Sequence, residues 1–93
     1  MTFAESFGKR LRALREDKEL RQEDIGKIAS VGKSAVSQWE SGIRIPDLET
    51  VNKLSVYFNV SADYLLGRTD SRTAKQYDKI DIFDKDTPPT DIE

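Results

Sequence analysis

The 93-residue sequence predicts a compact all-α domain of five helices over residues 1–68, followed by a flexible acidic tail over 69–93. Three observations carry this expectation. Apolar residues recur at i, i+3 and i+4 spacing with no sustained two-residue alternation before residue 68. Several of the periodic stretches begin at a capping residue and stop at glycine, asparagine or a proline-restricted segment. After Arg68 the composition turns polar and acidic, and few core candidates remain.

The helices follow in order. Thr2 with Glu5 forms a capping-box pattern, so the first helix starts at Phe3. Phe3, Phe7, Leu11 and Leu14 make its apolar stripe, and Lys9, Arg10, Arg12 and Arg15 line its other sides. The charged run REDKELR ends it near Glu16 to Lys18, and Leu20 is a core plug. Gln22 to Ala29 is a short second helix with Ile25, Ile28 and Ala29 inward. Ser30-Val31-Gly32 is a turn, Lys33 to Ser41 the third helix, and Gly42 its C′ residue. Ile43 to Pro46 cannot continue that helix, because a residue before proline disfavours the helical region. Asp47 caps a fourth helix carrying Leu48, Val51, Leu54 and Phe58. Asn59-Val60 breaks it, and Ser61 caps a fifth from Ala62 to Leu66, closed by Gly67. The tail contains Tyr77, Ile80, Ile82 and Phe83 in YDKIDIF, whose alternation fits a short strand added to a partner or a further domain.

Composition removes several function classes. The chain has no cysteine and no histidine, so disulfides, thiolate zinc sites, cysteine nucleophiles and Ser-His-Asp arrangements are excluded. No metal or cofactor site and no enzyme activity are expected. No apolar run approaches the ~18 residues of a membrane span, and MTFAESFGKR lacks a signal-peptide core. A cytoplasmic setting in a bacterial or phage-infected cell is the expectation. The net charge is −2, but it is unevenly distributed: residues 1–72 carry 12 Lys+Arg against 11 Asp+Glu, and residues 73–93 carry 3 against 6. A near-neutral body binds nucleic acid when its cations cluster on one face.

The third helix has two unlike faces. At 3.6 residues per turn, Lys33, Ser34, Ser37, Gln38 and Ser41 fall within an arc of roughly 140°. Ala35, Val36, Trp39 and Glu40 occupy the opposite arc. A small polar face on the second helix of a helix–turn–helix suits the DNA major groove. Lys33 can donate to guanine O6/N7 or reach a phosphate, Ser34 can read several bases, and Gln38 can pair bidentately with adenine. Ser37 and Ser41 are small enough for close approach. Gln22, at the start of the second helix, can meet a phosphate or brace the start of the third helix. Arg44 is a phosphate-clamp candidate. Glu40, on the inward arc, needs a partner, since an unpaired buried carboxylate is costly. Arg15 is the nearest basic candidate, and an Arg15–Glu40 pair would lock the first helix to the third. Trp39, beside Val36, reads as a core anchor.

The segments LRALRE, LRQ, SAVSQWESG, PDLET and VSADYLLG together resemble the Cro/repressor (XRE) type of helix-turn-helix domain over about Phe7 to Asp70, with the lambdoid-phage repressors nearest. The resemblance implies a lambda-repressor-like fold and contacts to phosphate or bases by Gln22, Lys33, Ser34 and Gln38. It places Ser37 and Ser41 on the same face and makes the Arg15–Glu40 pair characteristic. It also implies a homodimer on a near-palindromic double-stranded DNA operator. Four positions depart from the family pattern. Ser30 replaces a common turn glycine, Gly32 the usual polar cap of the third helix, Arg21 the cap of the second, and Gly26 a typical alanine. Serine at positive φ is uncomfortable, an arginine cap leaves the second helix open to fraying, and Gly26 allows close packing.

Three functional readings follow. The first is a phage-type repressor or its N-terminal DNA-binding domain, with a missing C-terminal dimerisation domain. The second is a small Cro-like regulator or antitoxin whose tail binds a protein partner such as an antirepressor or a toxin. The third is a protein-interaction module on the same fold.

Overall fold

A computed structural model of the protein describes residues 2–72. Among the described residues there are five helices: α1, Phe3–Asp17; α2, Gln22–Ala29; α3, Lys33–Glu40; α4, Leu48–Phe58; and α5, Ala62–Leu65. The third and fifth stop one residue short of expectation, with Ser41 and Leu66 as their C-caps. The YDKIDIF segment lies outside the described residues.

Side chains close most of the helix starts. Thr2 Oγ1 accepts the Glu5 N–H at 3.1 Å while the Thr2 N–H donates to Glu5 Oε1 at 2.9 Å. Asp47 Oδ1 accepts from the Thr50 N–H, and Ser61 Oγ from the Tyr64 N–H, each at 2.9 Å. The Thr2 backbone holds the Glu5 pKa below its ordinary value, and hydrogen bonds from Thr50 lower that of Asp47. Arg21 has no capping oxygen, but Asp24 Oδ2 accepts the Arg21 N–H at 2.8 Å. The second helix is therefore tied at its start by its own third residue.

The five helices end alike. Each chain exit enters the left-handed region, and the next N–H reaches back five residues to a helix carbonyl. The bonds are Leu20 to Arg15 at 3.0 Å, Val31 to Gly26 at 2.8 Å, Ile43 to Gln38 at 3.0 Å, Val60 to Ser55 at 2.9 Å and Arg68 to Asp63 at 2.8 Å. Gly42 and Gly67 supply two of the left-handed residues, but Glu19, Ser30 and Asn59 supply the others at φ of 58°, 62° and 57°. A side chain other than Gly or Asn in that region costs about 1–2 kcal/mol. Ser30 thus holds the positive φ that its place in the turn demands.

The helices pack in a closed circuit, α1 on α3, α3 on α2, α2 on α4, α4 on α5 and α5 back on α1. One core fills the circuit, with Phe7, Leu11, Ile25, Val36, Leu54 and Leu65 fully buried. Burying a side chain of this size stabilises the fold by about 1.5–3 kcal/mol. Phe7 meets Trp39 edge-on, with ring centroids 6.5 Å apart. Phe3 and Leu48, expected on apolar stripes, are instead 58% and 81% exposed. Each is the first residue of its helix, where the stripe runs past the neighbour that would cover it.

The expected boundary at residue 68 does not mark the end of contact with the body. The Arg10 guanidinium donates to the carbonyls of Tyr64 at 3.1 Å and Thr69 at 2.7 Å and to Asp70 Oδ1 at 2.9 Å. The Arg72 carbonyl accepts the Ser61 N–H at 3.0 Å. Polar composition thus did not exclude docking, because Arg10 and the start of α5 offered unused donors. Among the described residues no helix is long and apolar enough to cross a membrane.

Candidate nucleic-acid interface

The α2–turn–α3 unit is shaped first by its turn. A Cβ on Gly26 would lie 2.6 Å from the Val31 carbonyl oxygen, nearer than any side chain is tolerated. Glycine there lets the turn fold back onto the end of α2, which accounts for its departure from the alanine typical of the family. Gly8 plays the same part between helices. A Cβ there would meet the carbonyl oxygens of Trp39 and Glu40, the latter at 2.8 Å. The axis of α1 consequently rests against the backbone at the end of α3.

The inward face of α3 is fully engaged. Val36 and Trp39 are in the core. Glu40 and Arg15 meet in two parallel bonds, Arg15 Nε to Oε2 at 2.6 Å and a terminal guanidinium nitrogen to Oε1 at 2.9 Å. The other terminal nitrogen of Arg15 donates to the Leu20 carbonyl at 3.0 Å. The two side chains are only 14% and 5% exposed. Hydrogen bonding to Glu40 raises the Arg15 pKa above its ordinary value, against the opposing effect of burial. Gln22 joins the cluster: its Nε2 donates to Glu40 Oε1 at 3.1 Å. A brace to α3 is seen here, but it meets the last residue of the helix rather than its expected start.

The outward face contrasts at every position. Lys33, Ser34, Gln38 and Ser41 are exposed and Ser37 is half-buried. Among the described residues, none of these side chains makes a hydrogen bond or ion pair. They form one row along the helix, with Lys33 and Ser34 at its start. Arg44 lies beyond this row, in the loop after the helix. It is exposed, and its backbone N–H is held by the Gln38 carbonyl at 3.4 Å. The start of α3 is also electrostatically distinct. Gly32 offers no capping side chain and the first turn holds no acid, whereas each of the other four helices has an acid in its first turn. The free N–H groups and the positive end of the helix dipole stand open beside Lys33, an arrangement that attracts anions.

Sequence reasoning passed over Gly8 and the Arg10 clamp. An isolated glycine inside the stripe between Phe7 and Leu11 was the available signal for the first. Arg10 carried none, because its partners lie more than fifty residues away in sequence.

Comparison with known proteins finds this architecture in transcriptional regulators. The helix-turn-helix family model matches residues 11–65, more than half of the chain. The HTH-type transcriptional regulator ImmR of Bacillus subtilis is 40% identical over 63 residues, covering 68% of this chain and 50% of its own length. Repressor protein C2 of Salmonella phage P22 is 39% identical over 71 residues, covering 76% of this chain and 33% of its own. The chain thus spans half or less of the length of these two relatives. The crystal structure of the P22 c2 repressor with a synthetic operator aligns at a TM-score of 0.60 and 39% identity, covering 63% of this chain and 89% of that one. The restriction-modification controller protein C.AhdI of Aeromonas hydrophila aligns at 0.60 with 32% identity, covering 67% and 94%. On the strength of the family match and the five-helix fold, the chain belongs to the helix-turn-helix family of the Cro/repressor (XRE) type.

Proposed function

We propose that the chain is a sequence-specific double-stranded DNA-binding transcriptional regulator of phage-repressor type. In this reading it binds a near-palindromic operator as a dimer, with the helix from Lys33 and its C-cap Ser41 in the major groove. The observation that carries it is the unpartnered polar row on α3, together with the uncapped, acid-free start of that helix. An α-helix with its side chains is about 10–12 Å across, and the major groove is about 12 Å wide.

Each residue has a role in this arrangement. Gln38 pairs with an adenine edge, and Ser34 contacts a neighbouring base. Lys33 meets a guanine edge or a phosphate. Ser37 and Ser41 let the backbone approach closely. Gln22 and Arg44 contact phosphates and fix the register. The relation to P22 repressor C2 supports this reading, since that protein's structure was solved with an operator.

Binding measurements on specific and scrambled duplexes test the assignment. Gln38→Ala is expected to weaken specific binding by about 1–3 kcal/mol and to relax preference at one base pair. Lys33→Ala is expected either to do the same or, from a phosphate position, to weaken all sequences and flatten the salt dependence. Unchanged binding by both variants would rule out this face as the reader.

A further inference from the structure

We propose that Glu40 is a positioning residue for the DNA backbone, acting through Gln22. The helix-turn-helix is fixed at its apex by the turn between Ala29 and Lys33. At its open end, the first residue of α2 and the last residue of α3 meet through the Gln22–Glu40 bond of 3.1 Å. That bond closes the unit across its mouth.

Glu40 is well suited to hold another group. Its two oxygens receive two N–H groups from Arg15 and one from Gln22, so the carboxylate cannot turn. Arg15 balances its charge, and only 5% of its side chain is exposed. It therefore neither competes for an incoming phosphate nor repels one strongly. A carboxylate only accepts hydrogen bonds, so the Gln22 NH₂ group must be the end that faces it. One amide hydrogen is then fixed inward. The second hydrogen has no partner among the described residues, and Gln22 is half-buried with one side open to solvent.

The free hydrogen stands at the start of α2, where the Gln22 and Glu23 N–H groups have no partner within the helix, while the Asp24 N–H donates to the Arg21 carbonyl at 3.0 Å. Asp24 takes the Arg21 N–H that precedes them. An amide hydrogen beside the Gln22 and Glu23 N–H groups can meet a phosphodiester oxygen, against the negative charge of Glu23 and of Asp24, the latter turned to the Arg21 N–H. This inference rests on the DNA-binding reading, in which Gln22 meets a phosphate. What it adds is that Glu40 sets the direction of that contact. The end of the reading helix and the backbone contact are thereby held by one carboxylate.

The test uses the full chain and a 20-base-pair duplex of arbitrary sequence, titrated at several salt concentrations. Gln22→Ala is expected to weaken binding about tenfold, the size of a hydrogen bond to a charged group. The salt slope is expected to stay unchanged, because a neutral amide releases no counterion. Glu40→Gln is expected to weaken binding as well, and Gln22→Ala added to it to cause little further loss. Losses that multiply in the double variant would overturn the proposal. Because Glu40→Gln also loosens Arg15, a measurement on the parent chain stands beside it. In the side-chain amide NMR signals of Gln22, one proton is expected to be protected from exchange in the free protein and the other to become protected on adding the duplex. Amide signals that do not respond to saturating duplex would overturn the proposal while leaving the DNA-binding reading intact. A parent chain that binds no duplex would overturn both.

Discussion

The two faces of α3 share one backbone and eight residues, yet they answer to different constraints. On the inward face Val36 and Trp39 are matched by the core and Glu40 by Arg15 and Gln22. On the outward face, no side chain from Lys33 to Ser41 has a partner among the described residues. The exposed members of this row, Lys33, Ser34, Gln38 and Ser41, can change at little cost to the fold. The fold therefore fixes where the row stands, while the row is left to determine what it contacts.

Substitutions on the inward face give the largest expected effects. Glu40→Ala leaves Arg15 charged and poorly matched in a site where it is 14% exposed. Breaking such a pair costs about 3–5 kcal/mol, read as a fall in the urea midpoint. Ser34→Ala on the opposite face is expected to stay within about 0.5 kcal/mol of the parent. Equal losses from the two would erase the distinction between the faces. Gly8→Ala drives a Cβ into the Trp39 and Glu40 carbonyls and is expected to cost about 1–3 kcal/mol as α1 shifts away.

Much of this contrast was legible in the sequence, because a helix of known pitch sorts its own residues into arcs. Caps and left-handed exits were readable where Thr2, Asp47, Ser61, Gly42 and Gly67 announced them. The route from Glu40 to Gln22 was not, since hydrogen-bond partners on three different helices depend on the packed geometry. The exposed positions of Phe3 and Leu48 were missed for a related reason: periodicity says which side of a helix is apolar, not where its neighbour ends. The docking of Thr69 to Arg72 was hidden by polar composition, which reports a lack of core residues and nothing about available backbone acceptors.

Smaller changes sharpen the comparison by altering the aim or the background stability of α3 without touching either face. Ser30→Gly relieves the left-handed turn at φ 62° and is expected to raise stability by about 0.5–1 kcal/mol. Sequence preference should be unchanged, and a shifted preference would show that turn strain helps aim the helix. Asp47→Asn keeps an N-cap oxygen but removes a charge. The Asp47 pKa is depressed in the fold, so its contribution is present above the unfolded value and lost as pH falls through the folded one. Thermal melts of parent and variant are expected to agree most closely in strong acid, with the parent gaining as pH rises past that window. A gap that stays constant across it would remove the charge from the account of this cap.

Selection of bound sequences from random duplex DNA by the full chain puts the outward face to the most direct trial. The parent is expected to enrich one short motif, repeated in inverted orientation. Gln38→Ala is expected to lose preference at one base pair of each half-site while keeping the others. No enriched motif, or a motif that Gln38→Ala leaves intact at every position, would contradict the assignment of the α3 row as the reading surface.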